Sequence, residues 1–350
     1  MLACMAADMT VGVTIGYSAG IKEAVEQLVD LEKAGADLVW VAEAYGIDAV
    51  SVMGYIAAKT ERIGIGSGIL PLYSRTPTLT AMTAAGIDYL SGGRFVLGLG
   101  ASGPQVIEGW HGVPYDKPLA RTREIIDICR QVWRRERVEH DGACYTLPLP
   151  PEQGTGVGKP LKLIVHPVRD RIPIYVAALG PKNVEMTAEV AEGWLPTIFM
   201  PEKCKEIWGD VLAKGAANRP ADLGPLEIAA GGLLAIGDDV EHVRELARPA
   251  LALYIGGMGA KGRNFYNDLV CRYGFEEEAA RIQELYLDGR KAEAAAVVPD
   301  ELVAATSLVG PRSYVAERLA VYREAGVTTL SVVPVSADPV RTIEELRELL

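Results

Sequence analysis

The stretch Gly93-Arg94-Phe95-Val96-Leu97-Gly98-Leu99-Gly100-Ala101-Ser102-Gly103 decides how the chain folds. Residues 95–99 form an apolar run of strand length. The run breaks into a turn of small residues, where no side chain keeps a ligand from the backbone. Gly98, Gly100 and Gly103 also match the spacing G-x-G-x-x-G of a dinucleotide-binding turn. In that fold the third glycine opens a helix, an acidic residue follows some 20 residues on, and the motif sits on the first strand. Here Pro104 follows, then a loop of about fifteen residues with Trp110, His111, Pro114 and Pro118. The acid at the right offset, Glu124, lies inside a later amphipathic pattern, and three strand patterns precede the motif. The stretch therefore reads as the C-terminal end of a barrel strand, the end where such barrels carry their chemistry. Its glycines predict close approach of a ligand.

Upstream, strand patterns at 11–16, 37–43 and 63–69 are each followed by a helical pattern, at 24–34, 48–59 and 78–90. Downstream, 119–135 is strongly amphipathic, with Ile125, Ile126, Cys129, Val132 and Trp133 on one face. Strands at 173–178, 194–199, 226–236 and 328–333 then alternate with helices at 182–191, 202–215, 239–254 and 311–325, and 339–350 closes the chain. The helix at 239–254 takes Asp238 or Asp239 as its cap. Eight strand–helix units predict a single α/β domain over 1–350, a closed (β/α)8 TIM barrel. Two stretches fall outside the repeat and read as insertions, 138–171 after strand four and 256–298 after strand seven.

The 46 acidic against 35 basic residues give a net charge of −11, which argues against nucleic acid or an anionic membrane as the main partner. A small anionic cofactor held by a local site remains compatible. The five cysteines are scattered without a C-x-x-C, which predicts a reduced, cytoplasmic protein. The apolar start, 1–9, lacks a charged signal-peptide region, and no apolar run approaches bilayer length. The four histidines show no metal-ligand spacing, so no metal site is expected.

Four stretches together resemble the luciferase-like monooxygenase superfamily: 93–100, Val41-Ala42-Glu43-Ala44-Tyr45-Gly46, Gly66-Ser67-Gly68-Ile69-Leu70-Pro71 with Arg75-Thr76-Pro77, and Ala177-Ala178-Leu179-Gly180-Pro181. Gly326-Val327-Thr328 before the last strand agrees. Within the superfamily the chain looks most similar to the branch that uses coenzyme F420, a deazaflavin. The resemblance implies a flavin-like ring across the strand ends, with a non-prolyl cis peptide at Gly68–Ile69 beneath it. It places Ala101, Ser102 and Gly103 against the ring or ribityl chain, with Tyr17 at the end of strand one as a further contact. Ala178, Leu179, Gly180 and Pro181 start a helix, where exposed amides and the helix dipole suit a phosphate, with Lys182 nearby. For the cofactor's glutamyl tail the basic candidates are Lys117, Arg121 and Arg123, and the cluster Lys159, Lys162, Arg169 and Arg171.

Relatives often carry a histidine after the acid that ends strand two; here Ala44 follows Glu43. Two roles stay open for Glu43, a hydrogen bond to the ring or an ion pair with a basic neighbour. Tyr17, Tyr45 and His111 are the alternative proton donors, and Trp110-His111 is either a lid or loop packing. Relatives dimerise through helices two and three, where Ala49, Val52, Met53, Ile56, Ala57, Ala81, Met82 and Ala85 give surplus apolar surface, so a homodimer is expected. The expected activity is hydride transfer between C5 of the deazaflavin and an organic substrate the sequence does not identify. The alternatives are a reduced-FMN monooxygenase of the same fold and a binder of flavin or deazaflavin without turnover.

Overall fold

Eight parallel strands pair in chain order: Thr10–Ile15, Leu38–Val41, Gly64–Ser67, Phe95–Gly100, Ile174–Ala177, Gly193–Leu195, Glu227–Ala230 and Thr329–Pro334. The last closes on the first, with Thr10 opposite Thr329 and Val13 opposite Val332. Helices Ile21–Ala34, Ala49–Lys59, Pro77–Leu90, Pro118–Trp133, Pro181–Val190, Cys204–Ala217, Arg312–Glu324 and Pro339–Arg347 surround them. This is the expected (β/α)8 barrel. The computed structural model describes residues 9–15 and 20–350, so Tyr17 lies outside the described residues. Among the described residues no helix is long and apolar enough to cross a membrane.

The barrel interior is filled by two large rings. Trp40 and Tyr175 lie 5.5 Å apart, centroid to centroid, and the Trp40 indole donates to Ser331 Oγ at 3.1 Å. The strand paired with each carries a glycine in register with it: a Cβ on Gly66 would overlap the Trp40 ring, and one on Gly193 would overlap Tyr175. With its axis packed this way the barrel has no room for a ligand, and binding is left to the strand ends.

The glycines of the opening stretch divide into two kinds. Strand three is interrupted after Ser67 and resumes at Leu70–Pro71, which pairs with Leu99–Gly100; the Gly68–Ile69 peptide between is cis. Ser67 Oγ accepts from the Gly98 amide at 2.8 Å and donates to the Gly98 carbonyl at 2.9 Å, fully buried. A Cβ on Gly98 would overlap the Ser67 carbonyl oxygen, and one on Gly100 would stand 2.9 Å from the Ile69 side chain. Gly103 alone of the three has none of the described residues within 4 Å of that position. Gly98 and Gly100 therefore admit a neighbouring strand, not a ligand, which corrects the expectation that all three serve ligand approach.

Four other expectations change. The strand expected over 226–236 breaks at Gly231-Gly232, where a Cβ would overlap the carbonyls of Ser331 and Thr306. It resumes as Leu233–Ile236, which pairs with the eighth strand and with an unforeseen strand, Leu308–Gly310. The single helix expected over 239–254 is a 3₁₀ turn (Glu241–Leu246), a short α-helix (Ala247–Ala252) holding Pro249, and a π-turn (Leu253–Gly257). A short helix, Pro104–Gly109, replaces part of the loop expected after Gly103. Finally, Ala49, Val52, Met53, Ile56, Ala57, Ala81 and Ala85 are buried within the fold, so of that list only Met82 is left exposed.

The first insertion carries a small hairpin, His140–Asp141 with Thr146–Leu147. Glu124 holds it to the long helix by accepting from the amides of Ala143, Cys144 and Tyr145 and bonding His140. The second contains helices Phe265–Arg272, Glu276–Leu287 and Lys291–Ala296, and Asp300–Ala305 continues it.

The division among the glycines makes a direct prediction. Gly98→Ala forces strands three and four apart and is expected to cost about 3 kcal/mol or more, by overpacking against backbone. Gly103→Ala is expected to change stability by less than about 0.5 kcal/mol. Thermal unfolding of the two variants checks this; equal losses would refute the assignment.

Candidate active site

Strand register brings the predicted site residues together. Gly100 is opposite Ala177 and Ala177 opposite Leu195, so segments 101–103, 178–180 and 196–198 leave the barrel side by side. Val41 opposite Ser67 sets Glu43 on the strand end next to Gly68 and Ile69. Ser102 adopts the left-handed conformation at φ 57, which a non-glycine residue takes up infrequently. Gly180 precedes helix Pro181–Val190, caps it with no side chain, and none of the described residues comes within 4 Å of where a Cβ would stand. Asn183, in the first turn of that helix, has a buried side-chain oxygen with no hydrogen-bond partner among the described residues.

Glu43 is engaged by this chain. Its carboxylate takes both arms of Arg75, at 2.6 and 2.8 Å, and accepts from the Ala49 amide at 3.3 Å. The two side chains are only 10% and 12% exposed, and Asp48 adds a third contact to Arg75 at 3.1 Å. The bond to Glu43 raises the Arg75 pKa, so the guanidinium stays charged. Of the two roles open to Glu43, the structure contains the ion pair. The sequence displayed Arg75 within a motif but gave no sign that it pairs with a residue 32 positions away.

His111 follows the short helix after Gly103, and its Nε2 is buried with no partner among the described residues. Tyr45 is exposed, with its ring 6.3 Å from that of Trp110, so the loops after strands two and four touch above the rim. Arg121 is enclosed by its own chain. It bonds Asp116 and the Tyr145 hydroxyl, and its guanidinium stands 5.2 and 5.3 Å from the rings of Tyr73 and Tyr145. Burial raises the pKa of the Tyr73 hydroxyl, which donates to the Asp116 carbonyl at 2.8 Å.

The other basic candidates are also committed or distant. Lys117 donates to the Ala143 carbonyl and Arg123 pairs with Glu189. Arg169 bonds Asp88 and the Phe95 carbonyl at the start of strand four. Arg171 pairs with Glu192, which also accepts from the Ile174 amide at the start of strand five. Both arginines thus sit at the N-terminal end of the barrel, opposite the rim, and cannot reach a ligand there. Lys159 and Lys162 line a groove with Arg137 near Val138, past the end of the long helix that leads away from the rim.

The model of the family described as luciferase-like monooxygenase matches residues 4–329. The chain is 43% identical over 348 residues to Rv3520c of Mycobacterium tuberculosis, provisionally named a coenzyme F420-dependent oxidoreductase, covering 98% of this chain and 100% of that one. It is 30% identical over 324 residues to a 5,10-methylenetetrahydromethanopterin reductase of Archaeoglobus fulgidus, covering 89% and 90%. The solved coenzyme F420 dependent tetrahydromethanopterin reductase of Methanopyrus kandleri shares the fold, with a TM-score of 0.78 at 22% identity over 98% and 99% of the chains. The chain belongs to the luciferase-like monooxygenase family.

Proposed function

We propose that this protein is a coenzyme F420-dependent oxidoreductase that exchanges a hydride with an organic substrate at the C-terminal rim of its barrel. The observation that carries the proposal is end-to-end likeness to a relative named for that cofactor, on a rim whose geometry fits one. The fit is physical: open space above Gly103 and Gly180, and a helix start with no side-chain cap. Leu179, Gly180 and Lys182 offer amides for a phosphate at the positive end of that helix. Ala101, Ser102 and Gly103 offer a small-residue surface for the ribityl chain, and Gly68 with Ile69 forms the floor of the ring site.

The deazaflavin supplies hydride exchange at its C5. The chain's own task is to exclude water and to handle the proton that accompanies the hydride. His111 suits that task, because its Nε2 is buried and bonded to nothing else among the described residues. Glu43, held in two bonds by Arg75, is a positioning residue that fixes the loop after strand two, and with it Tyr45 against Trp110. Arg121 stabilises the loop after strand four through Asp116 and Tyr145 and is not assigned to the cofactor tail. A second copy of the chain covers helix Pro77–Leu90, whose Leu79, Met82, Tyr89 and Leu90 are large, apolar and exposed. The four free cysteines among the described residues suit a reduced, cytoplasmic setting.

Fluorescence titration with coenzyme F420 and with FMN tests the cofactor; the deazaflavin is expected to bind and FMN to bind more weakly. Micromolar binding of FMN with none of the deazaflavin would overturn the assignment. His111→Gln is expected to lower kcat about a hundredfold on any alcohol, aldehyde or enone that the wild type turns over, with cofactor affinity within about twofold. An unchanged kcat would remove His111 from the chemistry. In light scattering the protein is expected at twice the chain mass, and Met82→Asp with Tyr89→Asp at the mass of one chain; a monomeric wild type would refute the dimer.

A further inference from the structure

A helix start attracts anions, but it does not by itself aim the amides that precede the helix. In this chain something else does. The Trp194 indole Nε1 donates to the Ala178 carbonyl at 2.8 Å, and Trp208 Nε1 donates to the Leu179 carbonyl at 3.4 Å. In a planar trans peptide, the carbonyl of one residue and the N–H of the next point in opposite directions. Holding the Ala178 carbonyl toward the core therefore turns the Leu179 N–H away from it. Holding the Leu179 carbonyl does the same for the Gly180 N–H. Neither amide has an acceptor among the described residues.

The two indoles are in turn fixed. Both are fully buried and meet edge to face, with ring centroids 5.1 Å apart at 77°. Phe199 stacks on Trp208 at 5.8 Å and 11°, and Tyr273 meets Trp208 edge-on at 6.1 Å. A tryptophan that merely filled the core would satisfy its N–H on any nearby carbonyl. These two take consecutive carbonyls immediately before the helix.

We infer that Trp194 and Trp208 are positioning residues that aim the Leu179 and Gly180 amides at the phosphate of the bound cofactor. The inference rests on the rim being the cofactor site. Removing an indole N–H leaves a buried carbonyl without a partner. The peptide then rotates to find one, and its amide leaves the phosphate.

The test compares a phosphorylated ligand with its unphosphorylated form: coenzyme F420 against the deazaflavin riboside that lacks the phosphate, and FMN against riboflavin. Trp194→Phe and Trp208→Phe keep a ring in the aromatic stack while deleting the donor. Trp194→Phe is expected to weaken the phosphorylated ligand about tenfold and leave the riboside within about twofold. Trp208→Phe, whose contact is longer, is expected to weaken it by about threefold. Gly180→Pro supplies a variant that leaves the core intact. Gly180 has φ −72 and ψ 145, which proline adopts without strain, and its amide has no acceptor among the described residues. It is expected to show the same selective loss with an unchanged melting temperature. Equal losses for both members of a pair would reduce the tryptophans to structural filler and overturn the inference. So would unchanged affinity for both. A wild type that binds both members of each pair equally would overturn the phosphate site beneath it, and one that binds neither pair would overturn the cofactor assignment itself.

Discussion

Ser67 and Gly98 approach until no atom fits between them, and the upper barrel follows from that contact. A single hydroxyl serves both the amide and the carbonyl of Gly98, so the two strands are held together where strand three is interrupted. Strand three then resumes at Leu70–Pro71 against Leu99–Gly100, which leaves Gly68 and Ile69 on the barrel end beside the turn at 101–103. Below this level Trp40 and Tyr175 fill the axis, and the glycines facing them are what make two such rings possible. The lower barrel is packed solid and the upper end is free to bind.

The fold was legible because its signals are periodic and repeated. Strand patterns alternating with helix patterns over the whole chain permit few architectures, and a fingerprint on the fourth strand instead of the first separates the barrel from a doubly wound sheet. What escaped the sequence is what periodicity cannot carry. Leu308–Gly310 is too short to show alternation, and the helix expected over 239–254 is broken around Pro249. Gly231-Gly232 was visible as a pair, but only the approach of the Ser331 and Thr306 carbonyls makes it a break.

The site was legible by position more than by partner. Small residues at the ends of strands three, four and five do lie side by side, as the order of the strands requires. Side-chain engagement was invisible, since Glu43 and Arg75 are 32 residues apart and Arg121 is closed in by Asp116, Tyr73 and Tyr145. The basic cluster misled for a geometric reason. Arg169 and Arg171 precede strand five, and residues that precede a parallel strand sit at its N-terminal end, away from the rim.

This distribution of charge bears on how an acidic protein would hold the anionic cofactor proposed for it. With a net charge of −11, a cluster of free cations at the rim would be drawn to the chain's own carboxylates, and that is where Arg75, Arg121 and Arg123 are found. Neutral amides escape that competition, because they carry partial charge only in the direction the backbone points them. Their usefulness then depends on orientation, and orientation depends on what the opposite carbonyl is bonded to. The second insertion enters here. Its Tyr273 donates to the Ile198 carbonyl and accepts from the Met200 amide, holding Ile198 at φ 53, while its ring abuts Trp208. A segment that reads in sequence as an appended set of helices thus braces the aromatic block on which the amides before helix Pro181–Val190 rest.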